Sequence, residues 1–420
     1  MLSLYCFIFA AILIPKFNTM KKIFTILLLF FFATSIFAQN ISYNKGKILQ
    51  KHYLQKIPYE KVKEIPVVSV TINGKMYKFF FDTGASLCVS DNLYKELNLQ
   101  VVKQERGIDA EGKEELVRRI LLPELQLQEL TFINTPGLVF NEDVSFFECL
   151  GIDGIIGSNM LRNSIIHFDE QSQQIIITDN IKKISLKKVV HQKMELSSYQ
   201  SRPYITMFIQ KGEKREGHKV LFDSGQSAFY MMSIKGNKES SINTNIVEKQ
   251  SEAEGSFGIG FFGFHPNQKH WLLNIPEFIV NKKTFYDVII TTTHTPYSRI
   301  GAKLFQYGKV TLDYKKKHFY FEPFDTISQS ELSKQPWAVE FTMQNDKKVV
   351  GIIWDKALES QINLGDELLR VNEMDIQLMN FCELVRLEIP TEEDEMILEL
   401  RDIKTEEVKE VKIWRVQLKN

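Results

Sequence analysis

The chain has 420 residues, more than one ordinary domain holds, so two or three domains are expected. Hydrophobic residues make up 44% and charged residues 25%, which excludes a disordered or collagen-like chain. Fifty-two Lys and Arg balance 52 Asp and Glu, and no basic stripe with interleaved aromatics appears, so nucleic acid is not an expected partner.

The first informative stretch is N-terminal. Met20-Lys21-Lys22 precedes an apolar run over residues 23–37 and then Ala38-Gln39, the basic, apolar and small-residue order of a secretory signal. That run is short for a membrane span, which needs about 20 apolar residues. Residues 1–15 form a second apolar run, with two readings: translation starts at Met20, or the segment stays uncleaved as an anchor. Residues 1–38 are therefore read as a signal, and the protein as exported: periplasmic, envelope-associated or extracellular. Cleavage would leave Cys88, Cys149 and Cys382, an odd count that argues against a disulfide framework. Cys88 and Cys149 remain a candidate pair that the sequence does not decide. Without a neighbouring His, Cys88 reads as a small buried hydrophobe rather than a nucleophile.

Strand signals begin at residue 65. The β-branched run Val67-Val68-Ser69-Val70-Thr71-Ile72 meets Asn73-Gly74, a hairpin turn, and then Met76-Tyr77-Lys78-Phe79-Phe80-Phe81. Short strands continue to about residue 324, with brief helices expected over residues 91–97 and 159–162. The pattern is mainly β.

An internal duplication dominates this stretch. Phe81-Asp82-Thr83-Gly84-Ala85-Ser86 recurs as Phe222-Asp223-Ser224-Gly225-Gln226-Ser227. Ile156-Gly157-Ser158-Asn159-Met160-Leu161 recurs as Ile300-Gly301-Ala302-Lys303-Leu304-Phe305, and Ile166-His167-Phe168-Asp169 as Val310-Thr311-Leu312-Asp313. The interval from Asp to Gly is 75 residues in the first copy and 78 in the second, and from Gly to the later Asp it is 12 in both. One Asp-Thr-Gly tripeptide means little, but matched copies at matched spacing form a strong signal.

Two carboxylates held a few ångströms apart cannot ionise together, so one serves as acid and the other as base for attack by water on a peptide bond. Gly84 and Gly225 would let the chain turn sharply with amides towards the carboxylates. Thr83 and Ser224 carry hydroxyls able to bond across the two loops, and Ser86 and Ser227 could reach the outer carboxylate oxygens.

On these residues, and on Ile155-Ile156-Gly157 with Arg299-Ile300-Gly301, the chain resembles the aspartic peptidases of the pepsin and retropepsin superfamily over residues 60–324. The resemblance implies two duplicated β-barrel lobes, residues 39–185 and 186–325, with a catalytic cleft between them. It implies Asp82 and Asp223 as the catalytic pair, polypeptide substrates, and a hairpin flap. Candidates for the flap are residues 107–112 and, in the second lobe, 255–263. The lobes look more like bacterial retropepsin relatives fused in one chain than like secreted pepsins, so a monomer suffices. Ser224 for the usual Thr, the bulky Gln226, and Arg299 in an apolar position depart from the pattern. The alternative is a silent peptide binder using the same cleft.

After a polar linker over residues 326–335, residues 336–420 resemble a PDZ domain, chiefly through Leu364-Gly365-Asp366-Glu367-Leu368-Leu369-Arg370-Val371-Asn372. The resemblance implies a C-terminal peptide as ligand. The usual carboxylate-binding loop is missing, and Pro336 removes an amide donor where it should lie. The alternative is a module packed on the peptidase lobes. Gly258-Ile259-Gly260-Phe261-Phe262-Gly263 matches a dinucleotide fingerprint by spacing alone, with no helix after it, and is set aside. The eight His residues show no metal spacing, and neither metal nor cofactor is expected. His167 reads as a satisfied core residue, Asp169 and Asp313 as turn caps, and residues 392–395 as a solvated acidic loop.

Overall fold

A computed structural model describes residues 42–109, 113–140, 145–186, 189–235, 241–242, 244–260, 263–325, 328–389 and 392–417. The signal and start-site readings lie outside these residues, as do parts of both flap candidates. The fold is mainly β, with barrel-like sheets and, among the described residues, short helices.

Each copy of the repeat opens with a hairpin that delivers its Asp. In the first, Ile65–Ile72 and Lys75–Asp82 pair antiparallel, closed by Asn73 and Gly74 at φ 50° and 78°. Positive φ at both turn residues is what a tight hairpin twisting with its strands requires. In the second, Pro203–Lys211 pairs with Lys214–Asp223 around Gly212. Alternation in the first hairpin sends Tyr77, Phe79 and Phe81 to one buried face.

The Asp strands then meet the Gly strands in parallel. Phe79 to Asp82 lie beside Gly154 to Gly157, and Val220 to Asp223 beside Ser298 to Gly301, so each Asp stands opposite its Gly. A third strand closes each triplet antiparallel to the Gly strand: Leu87–Val89 in one copy and Tyr230–Ser233 in the other. The equal spacing seen in the sequence is thus one strand connectivity used twice.

The last repeated element joins the copies. Ile165–Asp169 pairs antiparallel with Gly308–Asp313, at the centre of a six-stranded sheet that draws strands from both halves. His167 lies opposite Thr311, and its Nδ1 is 2.7 Å from Thr311 Oγ1, so this His is a bonded core residue. Beneath both Asp strands one aromatic cluster spans the halves. Phe168 stacks on Phe305 at 4.5 Å between centroids and meets Phe81 edge-on at 5.6 Å, while Phe222 lies at 6.3 Å. Edge-on and offset contacts add about 0.5–1.5 kcal/mol per pair to the area buried.

The expected helices appear as Asp91–Glu96, capped by Ser90 Oγ accepting from the Leu93 amide at 3.1 Å, and as Ser158–Leu161. The stretch expected as a plain linker contains a helical turn, Ser330–Ser333, because Leu332 is buried in the main core.

The C-terminal unit has its own core, built from strands Val339–Gln344, Lys347–Ile353, Glu367–Val371, Glu395–Arg401 and Val408–Trp414 with helix Phe381–Arg386. Asn380 and Glu383 form a capping box at the start of that helix. Within the Gly365-Asp366 motif, Gly365 has φ 88° and the buried Asp366 is structural. Its carboxylate accepts from the amides of Asn363 at 2.8 Å and Ile403 at 3.0 Å and pairs with Lys409.

This unit grips both halves. Its strand Lys347–Ile353 pairs with Glu248–Gly255 of the second half, and Ser256 N donates to Gly351 O at 3.0 Å. On the first half, the short helix Ser145–Cys149 packs against Phe381–Arg386, and Cys149 is disulfide-bonded to Cys382. The expectation against a disulfide, and the Cys88–Cys149 candidate pair, are thereby corrected. Cys88 points into a separate apolar cluster with Val67, Phe80 and Ile155, whereas Cys149 faces the C-terminal core. Burial pushes the Cys88 thiol up, so it stays a neutral hydrophobe.

The bond closes a loop of 233 residues. Cys382→Ser should lower unfolding stability by about 2–4 kcal/mol relative to the oxidised protein. Denaturant melts with and without a thiol reductant check this, and the variant should be indifferent to reductant.

Candidate active site

Asp82 and Asp223 each sit at the C-terminal end of their strand, where the chain leaves the sheet. In each loop the next residue reaches across to the other half. Thr83 Oγ1 donates to Phe222 O at 2.7 Å and accepts from Ser224 N at 3.0 Å. Ser224 Oγ donates to Phe81 O at 2.6 Å and accepts from Thr83 N at 3.0 Å. Both hydroxyls are fully buried, so each bond lost would leave a desolvated partner. This reciprocal interlock is the use that the Thr and Ser next to each Asp suggested.

The glycines follow from lack of space. A Cβ on Gly84 would lie 2.5 Å from Asp223 Cγ, and one on Gly225 2.3 Å from Asp82 Cγ. Each loop therefore lays bare backbone against the opposite carboxylate, which any other residue would push away. Asp82 Oδ1 accepts from the amides of Gly84 at 2.7 Å and Ala85 at 3.1 Å, and Asp223 Oδ1 from Gly225 at 3.1 Å. Gly157 and Gly301 are excluded from carrying side chains for a like reason: a Cβ would meet the backbone of the Asp loop at 2.2 Å in both cases.

Ser86 and Ser227 do not bond the carboxylates. Ser86 Oγ is buried without a hydrogen-bond partner, and Ser227 is exposed. In both loops the residue after Gly is bonded to the segment that follows the Gly strand: Ala85 O accepts from Ser158 N at 2.9 Å and Gln226 O from Ala302 N at 2.7 Å. Supporting bonds come instead from residues the sequence reading left without a role. Ser158 Oγ donates to Thr83 O at 2.6 Å and lies 2.8 Å from the Tyr314 hydroxyl, so a Tyr of the second half steadies the first loop. Asn159 Oδ1 accepts from Leu87 N at 2.8 Å. The one available signal was their polarity inside an otherwise apolar repeat element.

Electrostatics separates the two acids. The Asp82 carboxyl is held well above the usual carboxylate range, first because it is desolvated and second because Asp223 stands beside it. The loop amides pull in the opposite direction but do not prevail. Arg299, which stands where the first copy has Ile155, is buried with Nη1 3.9 Å from Asp223 Oδ2.

A long hairpin, Val101–Ile108 with Glu114–Leu127, leaves the first half, and its tip residues 110–112 lie outside the described residues. At its tip Asp109 Oδ2 is 2.9 Å from His265 Nε2 of the second half, so the hairpin bridges the copies. Among its described residues the second flap candidate contains the end of strand Glu248–Gly255 and the short pairing of Ile259–Gly260 with Gly263–Phe264. That pairing, with no helix after it, also disposes of the dinucleotide spacing. Asp313 caps its turn as expected, accepting from Lys316 N at 2.9 Å, while Asp169 is paired with Lys309 at 2.7 Å.

Residues 68–160 match the model of a family described as aspartyl protease. The match contains Asp82, Thr83, Gly84 and the Gly154–Gly157 strand, and ends before the second copy. No curated protein matches the chain.

Two outcomes are expected. Thr83→Ala and Ser224→Ala should each cost about 1–3 kcal/mol, since each orphans one buried carbonyl and one buried amide, and the double variant less than their sum, since the first loss already loosens the interlock that the second bonds belong to; denaturant unfolding of the four-protein cycle checks it. Asp82 is raised in the folded state, so the native protein is penalised as pH climbs above the unfolded carboxylate value. Asp82→Asn should melt higher than the parent at pH 7 and converge with it below about pH 4, as thermal scans across pH would show.

Proposed function

We propose that the chain is an aspartic endopeptidase that hydrolyses polypeptides with a water activated by Asp82 and Asp223. The observation that carries this reading is the interlock of two like loops that packs each glycine on the opposite carboxylate. Such an arrangement costs stability as a structural device, because two acids are forced together, and it supplies what amide hydrolysis needs.

The steps follow from the proton placement. Asp82, whose proton is retained, donates it to the scissile carbonyl oxygen while Asp223 takes a proton from water, and the water oxygen bonds to the carbonyl carbon. In the tetrahedral diol, Asp223 returns a proton to the amide nitrogen and Asp82 recovers one from a hydroxyl. The C–N bond then breaks to acid and amine, and the pair regains its starting charge. Thr83 and Ser224 hold the geometry without touching the substrate. The hairpin ending at Asp109 is the flap in this reading, closing over an extended peptide.

We place the enzyme outside the cytoplasm, supported by the signal-like N-terminal order and by the Cys149–Cys382 disulfide, a bond that persists in oxidising compartments. The C-terminal unit is read as a PDZ-like brace rather than a reader of C-terminal carboxylates. The amide of Ala338, in the segment where the carboxylate loop should be, is already donated to Trp414 O at 2.8 Å. Helix Phe381–Arg386, which would flank a ligand, carries the disulfide to the first half.

A denatured polypeptide digested across pH 3–8 tests the activity. Asp82→Asn and Asp223→Asn should each lower kcat by about 10²–10⁴-fold, the scale of lost acid–base catalysis. A statine-type peptide, which imitates the tetrahedral diol, should inhibit. Peptide binding without turnover in the parent protein would instead support a silent binder, and undiminished turnover in either variant would remove the dyad.

A further inference from the structure

The two copies part company at one position beside the carboxylates. Ile155 and Arg299 stand two residues before Gly157 and Gly301, on the same face of the sheet as the Asp residues they neighbour. Ile155 lies between Phe80 and Cys88 in register and belongs to an apolar cluster with Val67, Phe140 and Ile152. Arg299 takes the same place between Leu221 and Met231, and is 4% exposed. A guanidinium does not lose its charge in a protein, so burying it is costly unless an anion stands near. Among the groups within its reach are Asp223 Oδ2, 3.9 Å from Nη1, and Thr293 Oγ1, 3.5 Å from Nη2.

The remaining titratable groups facing the pair do not compete. Tyr204 faces Asp223, and burial pushes its phenol up to about 12. Cys88 and Tyr314 face Asp82, and burial pushes both upward, so they stay neutral where a carboxylate dyad works. Arg202 stands near Tyr204, its guanidinium 5.8 Å from the centre of the Tyr297 ring. Arg299 therefore sets a cation 3.9 Å from one acid of the pair where the other copy has the hydrocarbon of Ile155.

We propose that Arg299 is a positioning residue for the dyad, holding the negative charge of the proton-sharing pair on Asp223 and so leaving the proton on Asp82. The proposal rests on the endopeptidase reading and deepens it by assigning base and acid to particular residues. A cation beside the pair favours the singly and doubly ionised forms over the forms that precede them. Both limbs of the pH–activity profile therefore lie lower than in a dyad with hydrocarbon at both positions. Without Arg299 the chain would have hydrocarbon at this position on each side, and only the loop amides and the Ser158–Tyr314 contact would distinguish the two acids.

The test compares pH profiles of kcat/KM on one peptide substrate for the parent, Arg299→Met, Arg299→Gln and Arg299→Lys. Met supplies the hydrocarbon that Ile155 supplies in the first copy. Gln keeps a hydrogen-bond donor for Thr293 without charge, and serves if the Met variant does not fold. Both neutral variants should move the two limbs to higher pH by about 1–3 units, and Lys should restore most of the displacement. A fall in amplitude with both limbs unmoved would overturn the proposal and leave Arg299 a packing residue. Carbon-13 titration of the Asp82 and Asp223 carboxyls in the parent and in Arg299→Gln gives a readout free of turnover. Displaced titrations with an inactive parent keep the role of Arg299 and remove the endopeptidase reading; identical titrations remove Arg299 whatever the activity.

Discussion

Two hydroxyls, one on Thr83 and one on Ser224, each donate across to a carbonyl and accept from an amide of the opposite half. Those four bonds are buried where water cannot replace them, and they bring together the ends of two strands that each terminate in an acid. Everything chemical about the site depends on that closeness, since two carboxylates share a proton only when they are too near to ionise separately. The glycines beside them are the steric condition for the same approach, because any side chain there would occupy the space of the opposite carboxylate.

The interlock could not hold if the halves were free to slide. Two further features oppose it. The strands Ile165–Asp169 and Gly308–Asp313 make the halves one sheet, and the aromatic cluster of Phe81, Phe168, Phe222 and Phe305 makes them one core. A displacement that separated the acids would have to open hydrogen-bonded backbone and a close-packed interior at once. The C-terminal unit adds a third restraint from outside, through a covalent link to helix Ser145–Cys149 and a backbone pairing to Glu248–Gly255. That pairing lies next in sequence to the loop whose His265 meets the hairpin tip, so the brace and the flap of the proposed enzyme are neighbours.

Pseudo-symmetry explains the fold, and departures from it set the two acids of the proposed enzyme apart. A symmetric dyad has no reason to prefer one acid as proton donor. Arg299 in place of an apolar residue, and Ser158 with Tyr314 steadying only the first loop, make the environments of Asp82 and Asp223 different. Breaking the symmetry inside one chain is open to a duplicated protein and closed to a dimer of identical halves.

Residue pattern alone determined the mainly β fold, the duplication, the two Asp loops and the role of the hydroxyls next to them. These are local or periodic signals: alternation marks strands, Asn73-Gly74 marks its turn, and a repeat marks a repeated structure whatever surrounds it. Only the tertiary structure decided what depends on residues far apart in the chain. Ser86 and Ser227 looked suited to the carboxylates by their spacing, yet one is buried without a hydrogen-bond partner and the other is exposed. Cys149 and Cys382 pair across 233 positions, a distance over which spacing holds no information. Arg299 read as a mere departure from an apolar pattern, because its meaning lies in a carboxylate 76 residues earlier that folding brings alongside.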